Sequence, residues 1–142
     1  MEKLNDITFY NMDKAIRTYR IFAQKRLREH GFSITIDQWL VIKSILENPG
    51  ISQQELGEKA FKDNASITRI IELLVKSNYL EREVNPVDRR KSNLTVTPEG
   101  IRVINEVQQI VLENRKAALS GITTEELEIV NKTLQTIIEN CN

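Results

Sequence analysis

The chain has one cysteine, Cys141, and one histidine, His30. A lone cysteine excludes an internal disulfide, and one His with one Cys cannot build a His/Cys zinc site within the chain. A carboxylate-rich or intersubunit metal site stays open, but no residue spacing points to one, and no cofactor motif is present. No apolar run approaches the roughly 20 residues that a helix needs to cross a bilayer. The sequence also lacks a signal-peptide pattern, so the expectation is a cytoplasmic protein with no membrane partner. Net charge is absent too, with 20 Lys and Arg against 20 Asp and Glu. A neutral total does not by itself support a polyanionic partner, although it can conceal segregated charge.

The composition is otherwise that of an ordinary globular chain. Its 142 residues are 40% hydrophobic and 28% charged, enough for a single domain with a real core. The few glycines and prolines fall mostly where helices should start or stop. A first long helix is expected from Asn5 or Asp6 to the Glu29-His30 region, ended by Gly31. Met12, Ile16, Tyr19, Ala23 and Leu27 give it one apolar stripe. Lys14, Arg17, Arg20, Lys25, Arg26 and Arg28 make it the most basic long element, either as a solvated face or as a secondary contact for phosphates. A second helix should follow Thr35 or Asp37, bury Trp39, Ile42, Ile45 and Leu46, and end at Asn48-Pro49-Gly50.

Ser52-Gln53-Gln54-Glu55 reads as a reciprocal capping box opening a short helix with Leu56 and Ala60 inward. Gly57 costs that helix about 1 kcal/mol relative to Ala. In the next helix Asp63 is the N-cap, and Ile67, Ile70, Ile71 and Leu74 fall at i, i+3, i+4 and i+7. Its other side carries Asn64, Ser66, Thr68 and Arg69, and Asn78 can close it in the left-handed conformation. The period then changes from 3.6 to 2 around Leu80, Arg82 and Val84 and again around Leu94 and Val96. Those two strands predict a β-hairpin whose long charged tip spans Asn85 to Asn93.

Thr97-Pro98 opens a helix to about Leu119, with Ile104, Val107 and Val111 on one side. Thr123 to Glu126 caps a last helix, with Ile122 and Leu127 as a hydrophobic staple. There Leu127, Val130, Leu134, Ile137 and Cys141 form a narrow seam, suited to a helix of a second subunit or to the chain's own core. Cys141 on that seam is expected to be a small buried hydrophobe.

The order of elements is specific as a whole. A short helix, a tight turn at Phe61-Lys62-Asp63 and a polar-fronted helix make a helix-turn-helix, and the following hairpin makes a wing. The run Asp88-Arg89-Arg90-Lys91-Ser92-Asn93-Leu94-Thr95-Val96-Thr97-Pro98-Glu99-Gly100 resembles the wing motif of the MarR family. Ser52-Gln53-Gln54-Glu55-Leu56 and Ser66-Ile67-Thr68-Arg69-Ile70-Ile71 are similar to that family's helix-turn-helix. Gly57 and Asn78 depart from the pattern, standing where the family usually has Ala and Gly.

The resemblance implies a mainly α fold with a small β-hairpin in a single domain, 1–142. A winged helix-turn-helix lobe (35–97) would be flanked by N- and C-terminal dimerisation helices (1–34 and 98–142). It also implies a sequence-specific transcriptional regulator that binds double-stranded DNA as a homodimer, commonly as a repressor, on a pseudo-palindromic operator. Arg90 would approach the minor groove with Asp88 orienting its guanidinium, and Arg89 and Lys91 would add phosphate contacts. For the second helix of the unit, Asn64, Ser66, Thr68 and Arg69 are the candidate base or phosphate contacts, since Arg can pair with guanine and Asn with adenine. Gln53 and Lys62 could hold phosphates.

Leu127, Val130, Leu134 and Ile137 are the candidate dimer contacts. An acidic last segment, with Glu125, Glu126, Glu128 and Glu139 against Lys132, suits a region held away from DNA. Many members of the family release DNA on binding a small aromatic acid, so a small aromatic or other amphipathic effector is a further expected partner. Tyr10, Tyr19, Phe22 and Trp39 either line such a pocket or are plain core. The competing classes are a winged-helix assembly module, which has no need of the basic wing, and an enzyme, for which no catalytic motif is present.

Overall fold

The computed structural model describes residues 1–88 and 92–142. A short 3-10 turn, Leu4–Asp6, precedes α1 (Thr8–Glu29), α2 (Ile36–Glu47), α3 (Gln53–Ala60) and α4 (Asn64–Lys76). An antiparallel hairpin of β1 (Leu80–Val84) and β2 (Ser92–Val96) follows, and then α5 (Pro98–Ala118) and α6 (Thr124–Cys141). No helix among the described residues is long and apolar enough to cross a membrane.

Local chemistry explains most boundaries. α1 starts later than expected because Ile7 is extended (φ −88, ψ 116) and leaves Asn5 in the preceding turn, where its carbonyl accepts from Asn11 Nδ2 at 2.8 Å. Thr35 caps α2 with a capping box: its hydroxyl accepts from the Gln38 amide while Gln38 Oε1 accepts from the Thr35 amide, both at 3.0 Å. The Ser52 box forms in only one half. Ser52 Oγ accepts from the Glu55 amide, but the Glu55 carboxylate takes the Ser52 hydroxyl proton instead of the backbone amide (3.1 Å). Thr123 and Glu126 complete their box in both directions. Asn78 adopts the left-handed conformation expected of it (φ +63).

The core lies between α2, α4, the base of the hairpin and the inner face of α5. Ile34, Val41, Ile42, Leu56, Ile67, Ile71, Leu74, Leu80 and Val107 are almost wholly buried. On α2 the buried face is centred on Val41, Ile42 and Ile45, which turns Leu46 to the rim, 40% exposed, and leaves Trp39 only partly buried. Along α1 only Ala23 and Leu27 are buried, while Ile16 is 52% exposed. The C-terminal half of α1 is tied to α5 by Arg26, whose Nε donates to the buried Asn114 Oδ1 at 2.8 Å and whose guanidinium lies 3.5 Å from Glu113.

The hairpin is in register Leu80↔Val96 through Val84↔Ser92, so its tip closes two residues earlier than the alternation predicts. Leu80 is the one buried residue of β1 and Val84 faces solvent, so the ribbon projects beyond the core.

Three hydrogen bonds weld its base to α5. Tyr79 O accepts from the Thr97 amide at 3.1 Å. The Thr97 hydroxyl donates to Asn78 O at 2.6 Å and accepts from the Gly100 amide at 3.0 Å. This is the physical content of the Thr-x-x-Gly motif.

α6 buries no residue at all. It is therefore not a core helix of its own chain. Ile122 is largely exposed, which leaves the expected staple half made, and Cys141 is exposed rather than buried.

Candidate nucleic-acid interface

α3, a left-handed turn at Phe61 (φ +58) and α4 form a helix-turn-helix. The turn folds back closely: the Lys62 amide donates to Gly57 O at 2.9 Å, and a Cβ on Gly57 would stand 3.0 Å from Lys62 O. The glycine that costs α3 helix propensity is thus also what lets the turn approach. Phe61 is left 87% exposed beside it.

Asp63 caps α4, accepting from the Ser66 amide at 2.7 Å. That amide, and then the Ser66 hydroxyl, hold the Asp63 carboxyl below the usual carboxylate range. Ser66 therefore serves the cap as well as the exposed face. Asn64 and Arg69 are exposed on α4, and Ser66 and Thr68 are half-buried. Amide groups at a helix start and a long cation one turn on can engage phosphates or base edges.

The structure brings Gln53, Asn64 and Thr68 into one cluster across the unit. Gln53 Nε2 donates to Asn64 Oδ1 at 3.1 Å and to Thr68 Oγ1 at 2.7 Å, and Thr68 Oγ1 donates to Asn64 O at 2.8 Å. Lys62 does not stand alone in the turn, for its Nζ lies 3.2 Å from Asp37 Oδ2, while Arg20 of α1 pairs with the other oxygen of the same carboxylate. Sequence reasoning named Arg20 only as one of the basic residues of α1 and missed Asp37 as the carboxylate that joins it to Lys62. Arg20 and Asp37 are 17 residues apart, and no local pattern links them to Lys62.

Of the wing residues, Asp88 stands at the end of an Asx turn in which Asn85 Oδ1 accepts the Val87 and Asp88 amides at 2.9 and 3.2 Å. Arg89, Arg90 and Lys91 lie outside the described residues. On α6, Leu127, Leu134 and Ile137 are half-buried and Val130 is exposed.

The four aromatics do not form one pocket. Tyr19 and Phe22 line an open groove of about 650 Å³ between α1 and the end of α5, with Ala117 and Ala118 opposite. Trp39 sits elsewhere, between Lys43 and Arg115 at 6.0 and 5.9 Å from its ring centre. No group of three or more metal-ligating side chains occurs among the described residues.

A helix-turn-helix followed at once by a β-ribbon defines a winged-helix fold. Residues 34–92 match the model of the MarR family. BilQ, an HTH-type transcriptional regulator of Clostridium symbiosum, is 26% identical over 108 residues, covering 76% of this chain and 74% of that one. A protein of Thauera aromatica provisionally assigned to regulation of the hcr operon is 27% identical over 107 residues. Its alignment covers 75% of this chain but 63% of that protein. Among solved structures, Bordetella bronchiseptica BpsR, whose DNA binding is regulated by 6-hydroxynicotinic acid, superposes with a TM-score of 0.86 at 18% identity over 96% of both chains. Streptomyces coelicolor PcaV, solved with its natural ligand, superposes with a TM-score of 0.83 at 17% identity, over 100% of this chain and 99% of that one. Over residues 34–92 the chain is thus similar to the MarR family, and the curated relatives it matches are transcriptional regulators.

Proposed function

We propose that the protein is a cytoplasmic homodimer that represses transcription by binding a pseudo-palindromic operator, and that a small aromatic or amphipathic molecule releases it. The observation that carries the DNA reading is the N-terminal half of α4, the second helix of the helix-turn-helix, where Asn64 and Arg69 are exposed and Ser66 and Thr68 half-buried. Arg69 is the base-reading or phosphate-binding cation of that helix, and Gln53 and Lys62 flank it. Asp88, Arg89, Arg90 and Lys91 form the wing contact with the minor groove, where narrow grooves attract Arg.

Residues 35–97 act as the DNA-reading lobe, and residues 1–34 and 98–142 as the dimer region. Dimerisation is supported by α6, where Leu127, Leu134 and Ile137 are only half-buried and Val130 is exposed in the single chain. Two recognition helices about 34 Å apart would then meet successive turns of DNA. The effector reading is supported by what is recorded for BpsR and PcaV, and by the open groove beside Tyr19 and Phe22.

Gel-shift titration of DNA from upstream of the protein's own gene tests this function, with Arg69→Ala and Arg90→Ala alongside. Each variant is expected to weaken binding by roughly five- to 150-fold, the 1–3 kcal/mol that a good base contact contributes. Undiminished binding by both variants would remove α4 and the wing from the interface.

A further inference from the structure

The Gln53 amide is oriented by two residues of α4. The Thr68 hydroxyl donates to Asn64 O at 2.8 Å, and its oxygen accepts from Gln53 Nε2 at 2.7 Å. The same nitrogen lies 3.1 Å from the Asn64 side chain, so the Asn64 atom turned to it is Oδ1. Both Gln53 N–H protons are thereby committed inside the protein, leaving Gln53 no donor for a phosphate. Asn64, the first residue of α4, is exposed, and its Nδ2 has no acceptor among the described residues.

We infer that Gln53 is a specificity-determining positioning residue, holding Asn64 with its oxygen inward and its N–H donors outward. Asn64 then reads base edges that accept, such as N7 or O6 of guanine. Bidentate pairing with adenine would need Oδ1 to take the N6 proton, and that oxygen is turned to Gln53. The inference rests on the reading of α4 as the DNA-recognition helix. It names a residue on α3 that sets what α4 can read without touching a base itself.

The test is enrichment of binding sites from a randomised duplex library by the full-length wild type, Gln53→Leu, Gln53→Glu, Asn64→Ala and the Gln53→Leu/Asn64→Ala double variant. Gln53→Leu and Asn64→Ala should relax the same position of each half-site by about tenfold in base preference, and the double variant should relax it no further. Gln53→Glu, which has no N–H to offer, should draw Nδ2 inward and shift that position toward bases that donate. A purely structural role would weaken all sequences alike and leave the preference in place.

An unchanged motif in both Gln53 variants overturns the inference. So does a uniform loss of affinity with the base preference intact, which would make Gln53 a phosphate contact. A wild type that enriches no sequence overturns the DNA reading and this inference together. A wild-type motif that survives Gln53→Leu and Gln53→Glu overturns this inference alone.

Discussion

A Cβ placed on Gly100 would overlap the carbonyl oxygen of Tyr79. The two residues lie on opposite sides of the hairpin, and their closeness seats the start of α5 against the exit of α4. The same Tyr79 oxygen accepts the Thr97 amide at 3.1 Å, so it cannot move aside without losing that bond. A methyl group there also meets Val96 Cγ1 at 2.8 Å. Gly100→Ala is therefore expected to destabilise the fold by about 1–3 kcal/mol, the usual cost of overpacking, measured by urea denaturation. It should weaken DNA binding as well, because it tilts the base of the wing. A variant within about 0.5 kcal/mol of wild type, the scatter of neutral surface changes, would contradict this account.

Lys62 and Arg20 share Asp37, which joins the turn of the helix-turn-helix to α1. Lys62 can reach a phosphate only by leaving that carboxylate. Asp37→Asn should then raise affinity for DNA a few-fold and steepen its dependence on salt, since the cations it frees can replace counterions. The pairs are partly exposed, so the stability cost should stay below about 1 kcal/mol. A paired titration at two salt concentrations, with a denaturation curve for each protein, checks both parts.

Asp63 places a negative charge at the N-terminus of α4 for the sake of the cap. Asn caps a helix about as well as Asp, so Asp63→Asn should leave stability nearly unchanged and tighten DNA binding. Asp63→Ala, which removes the cap, should lower stability measurably. The folded protein holds this carboxyl below its ordinary range, chiefly through the Ser66 amide. Its contribution is therefore complete above the ordinary carboxylate range and lost as pH falls through the lower folded value. Acid unfolding of Asp63→Asn should accordingly lack this component, while the two proteins behave alike at neutral pH.

The seam of α6 is only partly covered in one chain, with Leu127, Leu134 and Ile137 half-buried and Val130 exposed. Leu134→Glu is expected to convert a dimer into monomers by light scattering and to lower operator affinity more than tenfold, because one monomer engages one half-site. A dimer that persists, also with Val130→Glu, would place the subunit contact elsewhere.

Much of this was legible in the sequence, because the signals are local. The Asp63 and Thr123 caps, the left-handed Asn78, the Thr97-Pro98 helix start and the period of α4 are each set by residues within a few positions of one another. The change of period after α4 marked the hairpin and the order of elements, and the family resemblance added the roles expected of Asp88 and Arg90. What escaped were relations between distant residues. Asp37 meets Lys62 and Arg20 only after folding, and Gln53 finds Thr68 across the turn. Periodicity also overstated burial: Ile16, Leu46 and Cys141 sit at apolar positions but are exposed, since a pattern marks a face and not whether the chain itself covers it.

The central claim, that α4 and the wing bind duplex DNA selectively, is tested most directly by fluorescence anisotropy. The protein would be titrated onto DNA from upstream of its own gene and onto a scrambled duplex, at about 50 and 200 mM salt, a range over which phosphate-dominated binding falls steeply. The account predicts tighter binding to the upstream DNA, loss of affinity with salt, and weakening by Arg69→Ala. Absence of binding to either duplex at the lower salt would contradict it.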